Sequence, residues 1–289
     1  MSDGVLLTAH GTVEDLQDIP AFLQRIRHGR PAPPELVAEI QRRYASIGGS
    51  PHLSITRAQG EALSARLGLP VYLGMRLWQP ELKAALAQAA SAGVTRLAVL
   101  PLAPFSVHVY ARAAADAVRE LGLSLELAPV AAFGERPAFV AAQVAAILPH
   151  LRGGPAEHVV LTAHSLPSRV VASGDPYADQ VRSSAAAITA QLPTRATLAF
   201  QSQGADGGDW VGPELRDTLE GLAREGCRRV VIAPFGFLSD HVETLYDLDI
   251  EARGWAEQLN LEFDRVPALN TSPDLVALLE QVSRAALFG

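Results

Sequence analysis

The chain has 289 residues, 48% of them hydrophobic and 19% charged, a composition that fits a soluble globular protein of about two domains. Its 31 acidic and 24 basic side chains leave a net charge of −7, which argues against nucleic acid as a partner, since phosphates require Lys and Arg. The one cysteine, Cys227, permits no internal disulfide, thiolate zinc site or four-cysteine iron–sulfur cluster, and points to a reducing compartment.

The opening "MSDGVLL" lacks the basic and apolar regions of a secretory signal. Strands are predicted at 4–9, 70–74, 95–101, 123–128, 158–163, 195–200, 228–234 and 260–265. Helical periodicity fills 80–92, 108–121, 136–150, 177–192, 214–225 and 272–286. The apolar stretch "APVAAFGERPAFVAAQVAAIL" is broken at Gly134, Glu135, Arg136 and Pro137, short of the roughly 20 residues that span a bilayer. A cytoplasmic location is expected, with membrane contact at most peripheral.

Apolar strands alternating with helices imply an α/β protein whose parallel sheets are covered on both faces. Two stretches recur. "LTAH" ends the first strand at 7–10 and returns at 161–164, and "RLAVLPLAPF" (96–105) resembles "RVVIAPFGF" (229–237). The repetition predicts two similar doubly wound, Rossmann-like domains, 1–131 and 132–289, with compositional similarity among strands as the competing explanation. Ligands in such folds sit beyond the carboxyl ends of the strands, where both LTAH histidines, His10 and His164, fall.

His164 leads into the polar, turn-rich connection "SLPSRVVASGDPYADQ", the kind of segment where functional residues concentrate. A strand-end histidine is often merely structural, yet a neutral imidazole there can accept protons or bind a metal ion. In "SDHVETLYDLDIEARGW" (239–255), Glu243, Asp247 and Glu251 recur every fourth residue and would form one acidic ladder on a helix. Like charges at that spacing cost about 0.2–0.5 kcal/mol per pair, which a cation moving along them would offset. The alternative is Asp240 as a helix N-cap with Glu243 at its third position, which leaves Asp247 and Glu251 unexplained. "FQSQGADGGDWVGPEL" (200–215) is a strand-end loop in which Trp210 is either a packing anchor or a wall for a flat ligand. Arg27, Arg30, Arg42, Arg43 and Arg57 suit a carboxylate-bearing ligand, although any single one also fits a solvated helix face. Together these features point to metal handling combined with an anionic organic ligand.

Three linked stretches, "AHSLP" with "GDPYADQ", "FQSQ" with "DWVGPEL", and "APFGFLSDHVETLYDLDIE", make nearly the whole chain resemble the ferrochelatases, which insert Fe²⁺ into a porphyrin. The N-terminal half is more similar to the bacterial coproporphyrin branch. The resemblance implies two chelatase-type domains with the porphyrin in an interdomain cleft, and a monomer acting in haem biosynthesis. Coproporphyrin III and ferrous iron are the implied substrates. No cofactor is expected to be tightly bound and no iron–sulfur cluster to be present, with Mg²⁺ a candidate occupant of the ladder. His164 matches the catalytic histidine and Glu243 its acidic partner, while His164, Glu243, Asp247 and Glu251 form the implied metal or proton path. Substrate contacts are implied at Thr12, Arg27, Arg43, Ser50 and Tyr110, to which His10 and Trp210 are added from their positions.

Three departures stand out. His10 occupies the place where the bacterial branch usually has a tyrosine facing the product iron, and is similar in this to the smaller sirohydrochlorin chelatases. The loop "LAPFSVHVYARA" is shorter than in relatives, and Leu77 follows Arg76 where many bacterial members have a histidine. Competing readings are insertion into protoporphyrin IX, insertion of Fe²⁺ or Co²⁺ into sirohydrochlorin, and a non-catalytic tetrapyrrole-binding protein.

Overall fold

The computed structural model describes residues 2–204 and 208–289. Residues 205–207 of the expected 200–215 loop lie outside the described residues. The chain divides into two units: the residues up to Ala132 together with Asn270–Gly289, and Phe133–Leu269.

In the first unit the elements follow as β1 (Asp3–Ala9), α1 (Ile19–Ile26), α2 (Pro34–Ser46), α3 (His52–Leu67), β2 (Val71–Met75), α4 (Leu82–Ser91), β3 (Arg96–Pro101), α5 (Val107–Leu121) and β4 (Glu126–Pro129). The four strands form one parallel sheet in the order β2-β1-β3-β4. Helices cover both faces, so Val5, Leu6 and Leu7 of β1 and Leu97 to Leu100 of β3 are completely buried.

The second unit repeats the plan with α6 (Pro137–Ile147), β5 (Glu157–His164), α7 (Ser168–Ala172), α8 (Tyr177–Thr189), β6 (Ala196–Gln201), α9 (Leu215–Arg224), β7 (Arg229–Ala233), α10 (Val242–Leu245), α11 (Arg253–Gln258) and β8 (Glu262–Arg265). Its parallel sheet runs β6-β5-β7-β8. Counted within each unit, both orders are 2-1-3-4, so the LTAH strands β1 and β5 are equivalent. So are β3 and β7, the strands of the second recurring stretch. In each sheet the chain reverses direction of winding between the first and third strands, the topological switch where α/β folds bind ligands.

The last helix, α12 (Pro273–Phe288), corrects the expected boundary of 132–289. It returns to the first unit and packs on α3, β3 and β4. The reason is apolar burial: Leu275, Val276, Leu278, Leu279, Val282 and Leu287 are all buried on this helix. Arg66 and Glu280 join it to α3 at 2.8 Å, and the Gln59 amide donates to the Asn270 carbonyl at 2.6 Å. β4 also begins later than the expected 123–128. No helix among the described residues is long and apolar enough to cross a membrane.

One close approach fixes how the chain leaves β7. The Gly236 amide donates to the Thr162 carbonyl at 3.1 Å, and a Cβ placed on Gly236 would lie 2.7 Å from the Ala163 Cβ and 2.8 Å from its Cα. A methyl group there has to push backbone aside. Gly236→Ala is therefore expected to destabilise the protein by about 1–3 kcal/mol, read as a lowered thermal midpoint. Gly254→Ala, whose new Cβ meets no atom within 4 Å, should leave the midpoint unchanged or raise it.

Candidate functional site

β5 ends on His164, the first residue of that strand after the completely buried Leu161, Thr162 and Ala163. Its backbone is pinned. Tyr177, the first residue of α8, donates its hydroxyl to the His164 carbonyl at 2.8 Å, and Tyr177 itself is placed by its amide, which donates to Asp175 Oδ1 at 2.9 Å. The following residue, Ser165, is completely buried; its amide donates to the Gln201 carbonyl and its hydroxyl to the Val211 carbonyl.

The acidic partner arrives from the other neighbouring strand. After β7 the chain passes Gly236 and starts α10, whose N-cap is His241, with its amide donating to Thr244 Oγ1 at 3.0 Å. This corrects the alternative in which Asp240 caps the helix. Asp240 Oδ1 instead takes Arg265 at 2.7 Å and the Thr244 hydroxyl at 3.1 Å. Glu243, in the first turn of α10, meets His164 Nδ1 through Oε2 at 2.9 Å.

Behind Glu243 the helix changes its winding, because residues Asp247–Ala252 form a π-helix rather than the continuous α-helix that the four-residue spacing predicts. Such segments are uncommon and often mark functional sites. Asp247 is buried and accepts the Ser202 hydroxyl, Glu251 is half-buried, and Asp249 between them is held by Arg265 at 2.7 Å. Among the described residues no group of three or more His, Cys, Asp and Glu is arranged to hold a metal ion.

Three titratable groups here are displaced from their usual behaviour. Burial works against a charge on His164, but the Glu243 carboxylate, by charge and by hydrogen bond, and the charge of Asp247 outweigh it, so its pKa is raised. His241 is shifted the other way, because burial dominates over the attraction of Glu243 and Asp240, with His164 adding a small push in the same direction. Tyr177 is raised by burial and by the nearby Glu243 and Asp175 charges, which keeps its hydroxyl a donor. His241 and Tyr177 are residues that sequence reasoning quoted inside motifs without giving them a role.

The remaining expected residue of this unit, Trp210, is half-buried. Its segment is zipped to the loop after His164, since Val211 donates to the Leu166 carbonyl at 2.9 Å and Ser168 to the Asp209 carbonyl at 2.8 Å.

In the first unit His10 follows β1 and is exposed, its ring edge-on to Phe22 at 6.4 Å. Phe22 in turn meets Trp78 at 5.6 Å, with Arg25 lying over the indole at 5.0 Å. Thr12 is buried, shares a hydrogen bond of 3.1 Å with the Tyr44 hydroxyl, and borders a cavity of about 220 Å³ with Arg57 and Trp78. None of Arg27, Arg43, Ser50 or Tyr110 borders that cavity. Arg43 and Arg42 both hold Glu39 at 2.8 Å, which drives its carboxyl down to about 2 and leaves one net positive charge on the trio. Arg27 keeps a buried Nε with no hydrogen-bond partner. Ser50 Oγ lies 3.4 Å from the His52 amide, and Tyr110 is buried with the Arg76 guanidinium 5.8 Å from its ring centre.

With this geometry in hand, the comparisons with known proteins converge. A family model described as Ferrochelatase matches residues 2–287. A protein of Acidobacterium capsulatum named ferrochelatase is 38% identical over 98% of this chain and 94% of its own length. One of Propionibacterium freudenreichii named coproporphyrin III ferrochelatase is 32% identical over 99% of this chain and 87% of its own. Among solved structures, SirB from Bacillus subtilis with Fe³⁺ superposes with a TM-score of 0.64, covering 99% of this chain and 96% of that one. At 16% identity that similarity shows the fold alone.

The balance of forces on His164 is directly measurable. Glu243→Gln removes the largest attraction on the imidazolium and leaves burial in place, so the His164 pKa should fall relative to wild type in an NMR titration. The proton-accepting neutral form would then be populated at lower pH than in wild type. An unchanged titration would show that the 2.9 Å pair does not govern the proton on His164.

Proposed function

The chain belongs to the ferrochelatase family, and from that premise we propose that it inserts ferrous iron into coproporphyrin III, with His164 as the base. The observation that carries the mechanism is the pair of His164 Nδ1 and Glu243 Oε2, 2.9 Å apart at the carboxyl end of β5. When the neutral imidazole donates its Nδ1–H to Glu243, its Nε2 lone pair is left to accept a proton. Metal insertion must displace both pyrrole N–H protons, and each needs an acceptor before the metal–nitrogen bonds close. His164 takes one pyrrole proton on Nε2 while Glu243 stabilises the imidazolium, and that proton passes to solvent before the neutral imidazole accepts the second. Because the His164 pKa is raised, the accepting form becomes more abundant as pH rises through it, and turnover should rise with it.

Asp247 and Glu251 serve in this reading as the onward path for protons or as stepping points for hydrated ferrous iron. Their oxygen ligands also suit Mg²⁺, as one or two carboxylates among waters. A bent macrocycle would expose its pyrrole hydrogens to His164, with the distortion offset by contacts elsewhere on the substrate. Groups whose chemistry suits such contacts occur in the first unit. The buried, unpartnered Nε of Arg27 and the net positive charge of Arg42, Arg43 and Glu39 both suit propionates. Thr12, Ser50, Tyr110 and His10 are assigned to the same substrate, and Trp210 to a wall against the ring. Coproporphyrin III is preferred because relatives bearing that name match across nearly the whole chain, and because Arg27, Arg42 and Arg43 offer guanidinium groups to a substrate with many carboxylates.

The test is anaerobic turnover with Fe²⁺, followed by the change from porphyrin to metalloporphyrin absorption. Coproporphyrin III, protoporphyrin IX and sirohydrochlorin are compared side by side, and coproporphyrin III should give the highest kcat/KM. His164→Ala should lower kcat by about 10²–10⁴-fold while the porphyrin still binds. Near-normal insertion by that variant would remove His164 as the base, and a binding shift without insertion in the wild type would make the protein a tetrapyrrole binder instead.

A further inference from the structure

Ser202, the residue that follows β6, is a non-glycine residue with a left-handed backbone, with φ of +58°. L-residues avoid that region, and where one is held there a local reason is expected. Serine here is engaged on both sides of its hydroxyl. Ser202 Oγ donates to Asp247 Oδ2 at 2.5 Å and accepts from the Gln201 amide at 3.3 Å. The same Gln201 amide donates to the Glu243 carbonyl at 2.8 Å, and Gln201 is the register partner of His164 across the sheet.

The backbone conformation explains how this is possible. Along an extended strand consecutive side chains point to opposite faces, so Gln201 and Ser202 could not both reach the segment 243–247. The left-handed turn at Ser202 breaks the alternation and brings its hydroxyl to the same segment that Gln201 already holds. Two consecutive residues thus fasten the main chain of Glu243 and the carboxylate of Asp247.

We propose that Ser202 is a positioning residue, whose hydroxyl holds the Asp247 carboxylate in the orientation in which it works behind Glu243. The proposal rests on the reading of Glu243 and Asp247 as successive groups of one path. Glycine adopts φ of +58° at no steric cost but has no hydroxyl, whereas threonine restores the hydroxyl at a conformation that a β-branched residue resists. The two substitutions therefore separate stability from positioning.

Ser202→Gly should keep or raise the thermal midpoint and leave the KM for coproporphyrin III unchanged, while kcat falls about 10-fold or more. Ser202→Thr should lower the midpoint yet recover most of kcat. The double variant Ser202→Gly/Asp247→Asn should be no slower than Asp247→Asn alone, because the serine acts through that carboxylate. A Ser202→Gly enzyme with wild-type kcat, or kcat that follows the midpoint across the series, overturns the proposal. If Asp247→Asn is inactive while Ser202→Gly is unimpaired, Ser202 alone loses its role. If Asp247→Asn is silent, the path reading fails and the proposal falls with it.

Discussion

Val159, Val160, Leu161 and Ala163 are completely buried because helices cover both faces of the sheet that contains β5. A titratable group within that run would be stripped of water on both sides, so the end of the strand is the first place where β5 can present one. His164 occupies that place with its side chain about one-third exposed. Because β5 lies between β6 and β7, its end has two neighbours, and each delivers part of the site. β6 ends on Gln201, which with the following Ser202 bonds to Glu243 and Asp247. The chain after β7 passes over Ala163, where only a glycine fits, and then starts α10 with Glu243 in its first turn.

Four of the five acidic residues of 240–251 divide into two pairs by their described partners. Asp240 and Asp249 are bonded to Arg265, and burial, together with these partners, fixes them as structure. Glu243 is bonded to His164 and Asp247 to Ser202, which are neutral or titratable partners. A carboxylate bonded to guanidinium has its charge satisfied by a permanent cation. One bonded to an imidazole or a hydroxyl can still respond to a passing proton or metal ion.

Much of this was legible in the sequence, for physical reasons. The central strands, buried on both faces, are short apolar runs, all eight strands lie near their expected places, and the parallel α/β class follows from their alternation with helices. The helices α1, α2 and α3 escape periodicity for separate causes. The first is only 8 residues long, the second buries Tyr44 alone, and the third buries His52, Thr56, Gln59 and Gly60 beside its leucines. α12 was legible as a helix, but nothing in a linear pattern says which sheet its apolar side will cover. In the candidate site, spacing drew attention to Glu243, Asp247 and Glu251 yet could not foresee the change of winding at Asp247. Ser202, Tyr177 and His241 carry no spacing signal at all, because their roles depend on bonds between segments far apart in the chain.

The two LTAH copies show where a fold ends and a chemistry begins. They occupy equivalent strands, and in both the threonine and alanine are buried within the sheet, so the shared residues are the ones that packing demands. The residue after each histidine differs in kind. Gly11 has φ of +108°, and a Cβ there would lie 3.0 Å from Trp78, so the chain after His10 is shaped to run close against an aromatic cluster. Ser165 is instead fastened by its amide and hydroxyl to two other segments, so the chain after His164 is held rigidly in hydrogen bonds. The main chain at His164 is held by Tyr177, Ser165 and Gln201 and that at His10 by the Leu77 amide at 2.9 Å, so the copies differ most in what each ring meets: Glu243 for His164 and the ring of Phe22 for His10.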